Sequence, residues 1–183
     1  EQLARETEDD SRSLAEVMPS ARRMWLVLPD FHELKETMWP ALDPIVLGEH
    51  SYIIDVFCAD QAGYSSFSAL ANPEIVKRKK SGSNHVPHVR MWEPNGNIEL
   101  LTHMLIFDPT MASKASAFGW SGAAGGSSFT RLSHVEAARL GKRFLTRLLD
   151  THHEHSDRKV RIRTLPDELE AVDKETALDR LAS

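Results

Sequence analysis

The stretch Val89-Arg90-Met91-Trp92-Glu93-Pro94-Asn95-Gly96-Asn97-Ile98-Glu99-Leu100-Leu101-Thr102-His103-Met104-Leu105-Ile106-Phe107 carries the clearest local signal in the chain. Asn-Gly between two apolar runs favours a two-residue hairpin turn, because both central positions of that turn need positive φ. With Asn95 and Gly96 as the loop, Pro94 pairs with Asn97 and His88 faces His103. The same register puts Val89, Met91, Leu100, Met104 and Ile106 on one apolar face. The reading that follows is an α+β domain whose antiparallel sheet includes a hairpin of residues 89–93 with 98–107.

Outward from this hairpin, Ser133-His134-Val135-Glu136 matches a capping box and predicts a helix over 134–152 that covers one face of the sheet. Pro166-Asp167-Glu168 predicts the start of a C-terminal helix that adds to the cover. Upstream, Met24–Leu28 and Tyr52–Ala59 read as buried strands. Phe31–Trp39 reads as a helix stopped by Pro40 and Pro44, and Gln61–Pro73 as loop. The small-residue run Gly119–Ser128 also reads as loop, and Lys159–Arg163 as an exposed strand. Residues 1–18 read as an acidic N-terminal arm and 19–183 as a single domain.

Composition narrows the function classes. The chain has 183 residues, 22 Lys plus Arg, 27 Asp plus Glu and a formal net charge of -5. Cys58 is the one cysteine, so an intramolecular disulfide and a multi-cysteine metal site are both excluded. The longest apolar run, Met24–Leu28, is far short of the ~20 residues that span a bilayer. The start lacks Met, a basic segment and an apolar stretch, which suggests a processed or excised piece. The expected location is the cytoplasm or another reducing intracellular compartment.

Charge is uneven: residues 77–163 hold 15 basic against 7 acidic groups, leaving 7 against 20 elsewhere. Such asymmetry marks a surface for an anionic partner, either nucleic acid or acidic protein. Arg139, Arg143 and Arg147 recur every four residues on the expected helix. With Lys77, Arg78, Lys79, Lys80, Arg161 and Arg163 they form the candidate binding surface. No catalytic residue and no cofactor is expected. The function expected is that of a non-enzymatic structural or interaction module in a larger assembly, with protein partners or its own copies, and with nucleic acid as the other anionic candidate. The alternative is a small histidine- or metal-dependent hydrolase, in which His85, His88 and His103 meet across the hairpin. Gly119–Ser128 has neither a nucleophile elbow nor the lysine of a phosphate loop, and its expected role is a plain connecting loop.

Overall fold

The computed structural model describes residues 13–50, 52–93, 103–111, 114–123, 126–132, 139, 160–166 and 168–182. In chain order these form α1 (Leu14–Val17), β1 (Arg23–Leu28), α2 (Phe31–Val46), β2 (Ile53–Cys58), α3 (Gln61–Lys80), β3 (His88–Glu93), β4 (Met104–Phe107), β5 (Ser116–Ala123), β6 (Gly126–Arg131), β7 (Val160–Leu165), β8 (Glu168–Val172) and α4 (Lys174–Ala182). The fold is α+β, with a mixed, mostly antiparallel sheet ordered β6-β5-β4-β1-β2-β3-β7-β8. The exception lies at its centre, where β1, β2 and β3 run parallel and are joined through α2 and α3.

Strand alternation sorts the core onto two faces. Met24, Leu26, Leu28, Ile54, Val56, Val89 and Met91 point toward the helix pair α2/α3. Trp25, Val27, Phe57 and Trp92 point the other way, where Ala177 and Leu181 of α4 pack on them. All six residues of β1 are buried, as expected of a strand covered on both faces.

The hairpin expected at Asn95-Gly96 does not form between β3 and β4. Both edges of β3 are taken, by β2 with Met91 opposite Val56 and by β7 with Met91 opposite Arg163. β4 instead lies between β1 and β5, with Leu105 opposite Leu26 and Phe118. Residues 94–102, including the turn itself, lie outside the described residues. The reason is burial: Met104, Leu105, Ile106 and Phe107 are each at most 6% exposed, and at about 1.5–3 kcal/mol per buried apolar side chain this outweighs a local turn preference. The helix expected over 134–152 lies outside the described residues apart from Arg139, which is helical and exposed.

Several boundaries also differ from the sequence reading. Gln61–Pro73 is not loop but most of α3. Asp60 caps that helix, its Oδ1 accepting from the Gly63 N–H at 2.8 Å. Tyr64, Phe67, Ala71 and Ile75 make its buried stripe. Pro40 and Pro44 do not stop α2, which runs through both to Val46. Gly119–Ser128 is largely a β5–β6 hairpin with Trp120 opposite Phe129, and β8 occupies the place where the final helix was expected to begin. A proline inside a helix costs about 3 kcal/mol, yet Pro40, Pro44 and Pro73 are all exposed, so their rings meet solvent while the opposite stripes remain packed.

Phe67 separates the two readings of 61–73, since it is fully buried and its ring lies 5.7 Å from that of Phe31. Phe67→Ala should lower the free energy of unfolding by about 3–5 kcal/mol in a urea titration. A loss below about 1 kcal/mol would return the segment to loop.

Candidate functional site

The basic residues named from the sequence fall on different elements. Lys77, Arg78, Lys79 and Lys80 form the last turn of α3, at the amino end of the parallel strands, where cations also complement the helix dipole. Glu74 takes Arg78 at 3.0 Å and Lys77 at 3.6 Å, and these neighbours hold its carboxyl below the usual range. Lys79 and Lys80 are exposed. Arg161 and Arg163 lie on β7, opposite Glu93 and Met91, and Arg163 is paired with buried Glu93 at 3.0 Å. Arg139 is exposed, while Arg143 and Arg147 lie outside the described residues. Lys77–Lys80 thus share one helix turn, whereas Arg161 and Arg163 belong to a strand.

The three histidines do not converge. His85 is on the exposed loop after α3, and His88 opens β3 opposite Ile53. His103 precedes β4, which runs antiparallel to β1, so it stands at the carboxyl end of the parallel strands. About the length of a strand, roughly 20 Å, separates it from His88. Among the described residues no group of three or more His, Cys, Asp or Glu is placed to hold a metal ion. The shared histidine site is therefore corrected: it depended on a hairpin that β3 and β4 do not make.

His103 has other neighbours, which the sequence reading missed. Its Nε2 accepts the Asp30 backbone N–H at 3.1 Å, the Asp30 carboxylate is 4.0 Å away, and the Trp120 ring stands edge-on at 5.5 Å. Close by in sequence, His32 Nδ1 and Ser66 Oγ share a hydrogen bond of 2.7 Å between the first turn of α2 and the second turn of α3. Polar groups at the carboxyl ends of parallel strands occupy the usual ligand position of α/β sheets. An Nε2 that accepts a backbone N–H is the unprotonated nitrogen of a neutral ring, so it must give up that bond before it can take a substrate proton.

A second polar group, also missed, is buried on the face under α4. Asp55 in the middle of β2 is completely buried, and its Oδ1 accepts from Arg90 Nε at 2.7 Å and Trp92 Nε1 at 2.8 Å. Arg23 Nε approaches Oδ2 at 3.5 Å, and Arg23 Nη1 donates to the Leu181 carbonyl of α4 at 2.9 Å. Burial pushes the Asp55 carboxyl up, against the downward pull of Arg90, Trp92 and Arg23. An acid in the middle of an apolar run was the available signal, since a buried carboxylate requires partners on neighbouring strands. Along the outer surface of the helix pair run two grooves. One of about 260 Å³ is lined by Glu36, Trp39, Pro40 and Ala69; another of about 510 Å³ is lined by Pro44, Leu47, Lys77 and Arg78.

Two outcomes are expected from this arrangement. Asp55→Ala leaves two guanidinium groups without their shared acceptor, and should cost about 3–5 kcal/mol in chemical denaturation; a neutral result would remove Asp55 from the account of the core. Separately, burial lowers His88 and His103 below the ordinary 6.5, with Arg90 lowering His88 further and Asp30 opposing the shift at His103. Below pH 6.5 the unfolded chain then binds more protons than the folded one, so their contribution is complete above that pH and is lost as pH falls through the folded values. Thermal melts from pH 7.5 to 5 should show the melting temperature falling on the acid side, with a shallower slope in His88→Gln/His103→Gln; an unchanged slope would assign the pH dependence to other groups. Comparison of the chain with protein-family models, with curated proteins and with solved structures finds no match.

Proposed function

We propose that the chain is a non-enzymatic interaction module of a larger assembly, and that the basic end of α3 receives an acidic segment of a protein partner. The observation that supports this is the groove of about 510 Å³ in which Lys77 and Arg78 stand beside apolar Pro44 and Leu47. The helix dipole accounts for cations at this position, but not for the apolar surface next to them. Lys77, Arg78, Lys79 and Lys80 against Asp43 and Glu74 leave a formal surplus of two positive charges. A protein segment carrying both carboxylates and apolar side chains suits that surface. A nucleic-acid backbone suits it less, because uniform phosphate charge meets Asp43 and Glu74 and gains nothing from Leu47.

A second reading places hydrolysis at the carboxyl end of β1, and it is favoured by the contact between His103 and Asp30. Of the three histidines considered from the sequence, it retains His103 alone, with Asp30 as the group that would hold its protonated form.

Fluorescence anisotropy with two labelled probes tests the first reading: a ten-residue peptide alternating Glu and Leu, and a single-stranded DNA of matched charge. The peptide should bind, and Lys79→Glu/Lys80→Glu should weaken it by about tenfold, near 1.4 kcal/mol, while the same change at exposed Lys114 leaves it unaltered. Preference for DNA, with a steep salt slope, would move the proposal to nucleic acid. Binding of neither probe, together with an esterase activity abolished by His103→Ala in a folded protein, would install the second reading.

A further inference from the structure

The groove at the basic end of α3 lies beside the point where the described chain enters the fold. α1 and the turn Met18–Ser20 precede β1, and Val17 and Met18 are buried in the same apolar cluster as Val46 and Leu47 at the carboxyl end of α2. Leu47 also lines the groove, with Lys77 and Arg78. Arg23, Ile53 and His88 stand level as the first residues of β1, β2 and β3. Two strand spacings, about 10 Å, therefore separate the start of β1 from that of β3, and α3 ends shortly before β3. The segment that leads into α1 thus arrives at the end of the sheet, and on the face, where the groove lies.

Residues 1–12 make up that segment and lie outside the described residues. Glu1, Glu6, Glu8, Asp9 and Asp10 stand there against Arg5 and Arg12, and four of the five acids fall between positions 6 and 10. Extended, the segment reaches up to about 40 Å, and the part from Glu6 to Ser13 about 23 Å, so the distance is no obstacle. Its charge suits the tip of α3. Lys77 and Arg78 share Glu74, whereas Lys79 and Lys80 are exposed and, among the described residues, in no ion pair. The acids near the other end of the chain are already placed on β8 and α4, where Glu170 is taken by Arg180 and α4 packs on the opposite face of the sheet.

We propose that residues 1–12 occupy this groove within the same chain, with their carboxylates at the tip of α3 and Leu3 on Leu47 and Leu70, and that a partner's acidic segment must displace them. The inference rests on the partner-binding reading above and gives that site its regulation. The order of groups agrees on both sides. Going back from Ser13, the segment presents its acids, then Arg5, then Leu3; going inward from the tip, α3 presents Lys80 to Lys77, then Glu74, then Leu70. Two extended residues, about 7 Å, carry the segment from Arg5 to Leu3, and four helical residues, about 6 Å, carry α3 from Glu74 to Leu70. Arg5 then meets Glu74 and Asp43, which would repel a uniformly acidic segment. A tethered segment meets its site at millimolar effective concentration, so contacts too weak to hold a free peptide suffice.

The test attaches a nitroxide to the whole chain through Thr7→Cys; Cys58 is fully buried and stays unlabelled. Amide resonances of Leu47 and Lys77–Lys80 should broaden, and those of Lys174–Ala182 in α4, behind the sheet, should not. Lys79→Glu/Lys80→Glu should abolish the broadening. So should Glu6→Gln/Glu8→Gln/Asp9→Asn/Asp10→Asn, which should also raise affinity for the alternating Glu and Leu peptide at least threefold. No broadening at Lys77–Lys80, or a peptide affinity unchanged by neutralising the segment, would overturn the proposal. Broadening found only between chains, when spin-labelled chain is mixed with isotope-labelled chain that lacks the nitroxide, would overturn it in favour of a second copy. Peptide binding beside absent broadening therefore sinks the segment alone, whereas broadening with no peptide bound, even by the neutralised chain, sinks the partner-binding reading.

Discussion

Asp55 lies at the centre of the sheet, fully buried, and side chains from both flanking strands hold it in place. Charges about 4 Å apart attract by about 4 kcal/mol at an effective dielectric of 20, while stripping water from one carboxylate costs several kcal/mol. Arg90, Arg23 and Trp92 together offset that cost without overcoming it, since burial still holds the carboxyl above its usual value. The arrangement also fixes register, since sliding β3 by one residue would turn Arg90 to the helix face and bring Met91 to the acid. Through the Leu181 carbonyl the same group sets where α4 lies, and α4 in turn covers Trp25, Phe57 and Trp92. Strand order, strand register and the cover of the second face thus meet at one carboxylate.

The helix layer follows a different economy. α2 and α3 accept prolines because each has a buried stripe, Phe31, Met38, Leu42 and Ile45 on one and Tyr64, Phe67, Ala71 and Ile75 on the other. Roughly four buried apolar side chains per helix supply about 6–12 kcal/mol, against ~3 kcal/mol for the one proline of α3 and ~6 kcal/mol for the two of α2. The surplus allows the outer surface to be irregular, and that irregularity is what makes grooves between otherwise smooth cylinders.

This division explains what could be read from the residues alone. β1 and β2 were legible because Met24–Leu28 and Ile53–Cys58 are apolar runs too rich in branched and aromatic residues to lie outside a core. The partnership of β3 and β4 was not legible, because the Asn-Gly turn is a local signal, whereas the pairing of Leu105 with Leu26 spans 79 residues of sequence. α3 was missed because its serines, Gly63 and Pro73 resemble a loop unless the stripe from Tyr64 to Ile75 is traced at helical spacing. Of the candidate surface, Lys77–Lys80 could be found as a run; that Arg161 and Arg163 stand opposite Glu93 and Met91 depended on strand order. Asp30 and His103 touch only because β4 inserts beside β1, which no spacing reveals.

The link between Arg23 and Leu181 gives the molecule a temporal order. β1, β2, β3 and the two helices are complete once residue 93 has been made, and the pairing of Arg90 and Trp92 with Asp55 is available from that moment. At about 5–20 residues per second, the ribosome takes several more seconds to reach Leu181. Throughout that interval α4 is missing from the face bearing Trp25, Phe57 and Trp92, whereas α2 and α3 are already present on the other face. Among the described elements α4 comes last in the chain, so the aromatic face is the last to receive its cover.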